Sequence, residues 1–178
     1  RLPVAGFDHP SVMSLANLHA AIAIKERIAR GEVAKAVVIG AGAIGCEMAE
    51  ALSDLWGIET SVVEIADQVL PVILDKGLAR MVQKHMEEKG VGIFLREAVA
   101  AIQSEEGAAS VQVITSRRTL KADLVITAVG VRPQSELARQ AGLQVSPRGG
   151  IVVNRRLQTS DSDIYAGGDC IETLHLVT

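Results

Sequence analysis

The residues best placed to do chemistry are three glycines in the run Val37-Val38-Ile39-Gly40-Ala41-Gly42-Ala43-Ile44-Gly45-Cys46-Glu47. They stand where an all-apolar run gives way to helical spacing, so a strand stops and a helix starts there. Gly40 permits a tight turn, Gly42 lets a phosphate approach the backbone, and Gly45 lets helix and strand pack closely. The helix start presents free N–H groups and the positive end of its dipole. This is equipment for holding a pyrophosphate. Glu64 stands 19 residues beyond Gly45, directly after the β-branched and small run Thr60–Val63. A carboxylate at that point accepts hydrogen bonds from a ribose hydroxyl pair and repels a 2′-phosphate. The next residues, Ile65, Ala66 and Asp67, supply no Arg or Lys. The expected ligand is therefore NAD(H) in preference to NADP(H). Glu47, read as lying in the first helical turn, has two readings: a charge that favours the helix dipole, or a contact near the nicotinamide.

Elements that position these residues follow from periodicity. Residues 1–14 read as an irregular lead-in, followed by a helix over about Leu15–Arg30 with Leu18, Ile22, Ile28 and Ala29 on its apolar face. Ala36–Ile39 reads as a strand buried on both faces. Ala43–Trp56 reads as a helix with Ile44, Met48, Leu52 and Leu55 inward. Thr60–Val63 is the second strand. Asp75 caps a helix running to Lys89, with Leu78, Val82 and Met86 inward, and Val91–Leu95 is the third strand. This β-α-β-α-β order predicts an α/β fold, a Rossmann-like doubly wound parallel sheet with those three strands side by side.

The pattern then changes. Ala98–Gln103, Ser110–Thr115 and Thr119–Leu120 are short strand-like pieces separated by the polar turns Ser104–Gly107 and Ser116–Arg118. They predict an antiparallel β-meander in place of a helical crossover, giving three layers. Leu124–Val129 returns to a buried strand. A short helix is expected over Ser135–Gln140, and further strands at Ile151–Val153 and Asp163–Ala166.

Composition narrows the function. The net charge is −3 and the basic doublets Arg117-Arg118 and Arg155-Arg156 are isolated, which argues against a nucleic-acid groove or an anionic membrane surface. One Trp, one Tyr and two Phe leave no platform for stacking bases and demand an aliphatic core. Apolar runs fall short of a membrane span. Cys46 and Cys170 form no metal or disulfide pattern and fit a reducing, cytoplasmic setting. Both read as structural, and His9, His19, His85 and His175 read as surface or packing residues.

At this point the motifs resemble a known family, the FAD-dependent pyridine nucleotide-disulfide oxidoreductases. The resemblance rests on Gly40–Glu50, on Thr127-Ala-Val-Gly-Val-Arg-Pro-Gln-Ser-Glu-Leu137 and on Thr159-Ser-Asp-Ser-Asp-Ile-Tyr-Ala-Gly-Gly-Asp169, in the family's order. It implies that Gly40, Ala41, Gly42, Ala43, Ile44, Gly45 and Glu47 wrap the NAD pyrophosphate and approach the nicotinamide. It implies that Glu64 holds the adenosine ribose, that Val99 and Gly130 border the NAD, and that Asp169 meets the FAD ribitol. Two positions depart from the family pattern. Many members carry a Tyr or Phe gate where this chain has Ala43, and Gln134 replaces a commoner Asn.

The family's own FAD fingerprint, its redox cysteine and its dimerisation domain are not in this sequence. The expectation is an excised NAD(H)-binding domain at 33–146, preceded by a lead-in segment and helix at 1–32. A return segment at 147–178 leads toward the FAD domain of the same parent chain. That parent would pass a hydride from NADH to FAD, with a disulfide, oxygen or peroxide as final acceptor. No catalytic residue is expected in this chain, and alone it would be inactive. The segments Leu2–Gly6 and Ile164–Cys170 look most like the NADH oxidase and coenzyme A-disulfide reductase branch. The competing expectation is a standalone dinucleotide sensor or interaction module. An apolar face left by a flavin domain would allow a homodimer.

Overall fold

Alternation along the strands decides the layering. In the computed structural model, which describes residues 4–104 and 110–172, the chain divides into two compact units, Arg1–Gly130 and Val131–Thr178. The turn residues Glu105–Gly107, Leu2, Pro3 and His175 of the sequence reading lie outside the described residues.

The first unit is built on a five-stranded sheet. Its strands are β1 (Val12–Met13), β2 (Lys35–Ile39), β3 (Glu59–Glu64), β4 (Gly92–Leu95) and β8 (Leu124–Thr127). The order is β1-β8-β2-β3-β4 and every pairing is parallel. Val38 faces Val62 on one side and Ile126 on the other, so the three expected strands are neighbours. Helices α1 (Leu18–Ala29), α2 (Ala43–Glu50) and α3 (Lys76–Glu88) supply the crossovers. Ala36, Val38, Val62, Leu124 and Ile126 point to the helices and bury with Ile24, Ala49, Leu52, Ala79 and Met86. The alternate residues Val37, Ile39, Val63 and Val125 bury against Ile102, Val111, Val113 and Ala122. Those belong to the antiparallel meander β5 (Val99–Ser104), β6 (Val111–Thr115) and β7 (Thr119–Ala122), in the order β5-β6-β7. Helices, parallel sheet and meander are the three expected layers.

The lead-in is not wholly irregular, because β1 pairs with β8 as the edge of the parallel sheet. The apolar faces differ from the sequence reading. Ile24 is the buried residue of α1, while Leu18 and Ile22 are exposed. The second helix stops at Glu50 and continues as a π-type turn, Ala51–Leu55. That wider turn breaks the 3.6 spacing, so Leu52 is buried and Leu55 is exposed. Gly45, Cys46 and Ala49 face the sheet, and Ile44 points outward. On α3 the inner residues are Ala79 and Met86, and Leu78 is exposed. Small residues sit inward because these helices lie close to the sheet.

The second unit contains α4 (Glu136–Gln140) and a parallel strand pair, β9 (Ile151–Val152) with β10 (Ile171–Glu172). The strand expected over Asp163–Ala166 is reduced to a single bridge between Gln158 and Tyr165. β10 was not expected; two residues are too few for any alternation to register.

Candidate functional site

The site forms where β2 ends and α2 begins. Gly40 has φ +102°, and a Cβ on it would lie 2.4 Å from the Ala128 carbonyl oxygen. A Cβ on Gly45 would lie 1.9 Å from the Gly40 carbonyl oxygen, so helix and loop touch only because that atom is missing. Gly42 differs from both. It is the N-cap of α2, without a capping side chain, and a Cβ there would meet nothing within 4 Å. Gly42 is not required by packing within the protein.

The loop between the glycines is pinned at the Ala41 peptide. Its N–H donates to Glu64 Oε2 at 2.7 Å, and its carbonyl accepts from the Leu70 N–H at 2.7 Å and the Cys46 thiol at 3.4 Å. The other oxygen of Glu64 accepts from the Ala66 N–H at 2.8 Å. Glu64 is buried and shapes the phosphate loop, and each oxygen keeps lone-pair capacity for a further donor. Burial, reinforced by the Glu64 and Glu47 carboxylates, pushes the Cys46 thiol up to about 11, so it stays protonated and inert at neutral pH. That agrees with its reading as a structural residue.

Beside this loop lies a cavity of about 580 Å³, within the usual range of roughly 300–1,000 Å³ for small-molecule sites. Of the predicted residues, Gly40, Gly42, Glu64, Val99 and Gly130 line it together. Ala41 is buried in the loop and Gly45 in the first turn of α2. Ala43 and Ile44 are exposed at the start of α2 and are not part of the lining. Glu47 is the fifth residue of α2 and lies beyond its first turn, which corrects its expected place; it too is exposed. Asp169 lies in the second unit, exposed, after Gly167 and Gly168.

Two features escaped the sequence reading. Glu97 lines the cavity, is almost fully buried, and pairs with Arg118 at 2.8 Å and the Thr115 hydroxyl at 2.8 Å. The other is cationic. Lys76 reaches Asp67 at 2.9 Å and Arg96 reaches it at 3.5 Å, so the segment after β3 does have positive charge beside it. The hydrogen bond from Lys76, then its charge and that of Arg96, hold the Asp67 carboxyl below its usual range. Neither pairing has a local sequence signal, since each partner comes from another element. Among the described residues, no group of three His, Cys, Asp or Glu could hold a metal ion, and no helix is long and apolar enough to cross a membrane.

The family model for pyridine nucleotide-disulphide oxidoreductases matches residues 1–178. The chain belongs to this family. It is 39% identical over 176 residues to an NADH oxidase from Methanocaldococcus jannaschii, covering 99% of this chain and 38% of that protein. An FAD-dependent pyridine nucleotide-disulphide oxidoreductase from Desulfovibrio vulgaris has 48% identity and a TM-score of 0.87, over 96% of this chain and 43% of that one. A NAD-dependent persulfide reductase from A. fulgidus has 41% identity and a TM-score of 0.91, over 99% of this chain and 32% of that one. The chain thus spans less than half the length of these pyridine nucleotide-disulphide oxidoreductase relatives. Its Rossmann-like sheet and meander are those expected from the motifs.

Proposed function

We propose that this chain is the NAD(H)-binding part of a flavin-dependent oxidoreductase. The observation that carries this reading is Gly42: the residue at the mouth of the pinned loop leaves space that no protein atom uses. Beside it stand the donors and the acceptor a dinucleotide needs. The first amides of α2 suit the pyrophosphate, and the Glu64 carboxylate suits the adenosine ribose. Ala43 and Ile44 carry those first amides; Glu47 would approach the nicotinamide, and Val99 and Gly130 would border the dinucleotide. The fixed Ala41 peptide means that little ordering is left for the moment of binding.

Bound NADH supplies a hydride; this chain contributes orientation and electrostatics, and none of its side chains is assigned a catalytic step. In a longer parent protein the acceptor would be FAD, with Asp169 toward its ribitol, and then a disulfide, oxygen or peroxide. Glu64 favours NADH over NADPH. Cytoplasmic placement suits two thiols outside any disulfide, and self-association as a homodimer is compatible with the exposed apolar side chains.

Calorimetric titration with NADH tests the reading. Saturable binding near one NADH per chain is expected. Gly42→Ala should weaken it by at least about tenfold, because the Cβ fills the space meant for phosphate. The melting temperature should fall by only about 2–4 °C, since Ala in place of Gly at an N-cap costs about 1 kcal/mol and φ −72° at Gly42 suits either residue. No NADH binding by the unsubstituted chain, or equal binding by Gly42→Ala, would overturn it.

A further inference from the structure

Lys76 and Arg96 both occupy positions that local energetics disfavour. Lys76 is the first residue of α3, where the helix dipole presents positive charge and repels a cation. Arg96 has φ +56°, in the left-handed region that non-glycine residues avoid. Its backbone is held there from both sides. The Arg96 N–H donates to the Ala66 carbonyl at 2.9 Å, and the Glu97 N–H donates to the Glu64 carbonyl at 3.0 Å. The result is that two cations from separate elements converge on one carboxylate, Asp67, three residues beyond Glu64. Glu64 and Ile65 line the cavity, and Ala66 is hydrogen-bonded to Glu64. The cluster itself is outside the cavity lining, but Asp67 follows Glu64 by three residues, which sets it next to the end of the proposed site where Glu64 would meet the ribose. Strained residues held by their surroundings are characteristic of ligand clamps and switches.

We propose that Asp67 is a specificity-determining residue that occupies Lys76 and Arg96 and so withholds them from the 2′-phosphate of NADPH. The inference rests on the dinucleotide reading above. Selection against the phosphate then has two parts. Glu64 repels it, and Asp67 cancels the charges that would otherwise attract it. The side chain of Asp67 is more than a third exposed, so its substitution leaves the core intact. A free ammonium and a free guanidinium are the groups that bind phosphate well.

The test compares NADH and NADPH titrations of the unsubstituted chain, of Asp67→Asn, and of Asp67→Asn combined with Lys76→Gln and Arg96→Gln. Asp67→Asn should shift the ratio of the two affinities toward NADPH by at least about fivefold. The triple variant should lose that shift. Added salt should weaken NADPH binding to Asp67→Asn more steeply than to the triple variant, because the gained contacts are ionic. An unchanged ratio in Asp67→Asn overturns the inference. So does a shift that survives in the triple variant, which would mean simple loss of repulsion. In both cases NADH binding by the unsubstituted chain leaves the dinucleotide reading standing. Failure to bind NADH at all refutes that reading, and this inference with it.

Discussion

Glu64 does two jobs, and substitution separates them. As an acceptor it satisfies the Ala41 and Ala66 amides, and in the proposed dinucleotide site its charge would disfavour a 2′-phosphate. Glu64→Ala removes both. The Ala41 amide is fully buried and loses its partner, which costs about 1–3 kcal/mol. For a chain of this size the melting temperature should fall by a few to about 10 °C in a thermal scan. Binding of NADH should weaken as the loop loosens. The preference for NADH over NADPH should narrow in parallel titrations, since the repulsive charge is gone. A stable variant with unaltered preference would show that Glu64 reads neither loop nor ribose.

At the scale of elements, the junction from β4 into the meander is held by one buried acid. Glu97 takes two bonds from Arg118 and one from Thr115, and the Arg118 guanidinium also sits 4.1 Å from the centre of the Phe94 ring. Arg118→Ala leaves Glu97 with the Thr115 hydroxyl as its side-chain partner among the described residues. Breaking a fully buried pair costs about 3–5 kcal/mol. Arg118 is partly solvated, so about 1–3 kcal/mol is expected, read as a lower denaturant midpoint at similar slope. Lysine at 118 should recover part of it. This pair also marks where sequence reading stops. The longer strands and the meander were legible because apolar runs broken by polar turns leave a local signature, whereas the two-residue strands β1 and β10 leave none. Gly40, Gly45 and Glu64 were legible because a strand, a turn and a helix fix their spacing. The helix faces were partly misread, because Ala49 and Ala79 bury more completely than Leu55 or Leu78. Close packing on a sheet rewards small side chains, which a hydrophobic stripe does not rank highly. The partners of Asp67 and Glu97 were illegible since they arrive by folding, from chain positions with no fixed offset.

The whole molecule separates into units of unequal role. Every residue lining the cavity, from Val4 to Gly130, lies in the first unit, as do all five strands of the parallel sheet and both layers that cover it. Its core is closed by its own residues: one face of the sheet buries against α1, α2 and α3, the other against the meander. The edge strand β1 means that the lead-in residues belong to this unit's sheet, so a shortened chain must keep them. A chain ended at Gly130 should therefore fold, with far-ultraviolet dichroism and a cooperative melt. It should bind NADH within about threefold of the full 178 residues. The second unit carries Asp169 but no part of the cavity lining, so its removal should not alter the NADH-to-NADPH ratio. Loss of binding in a folded 1–130 chain would place part of the dinucleotide site in residues 131–178. That result would count against an NAD(H) site confined to the Gly40–Gly45 loop and its cavity.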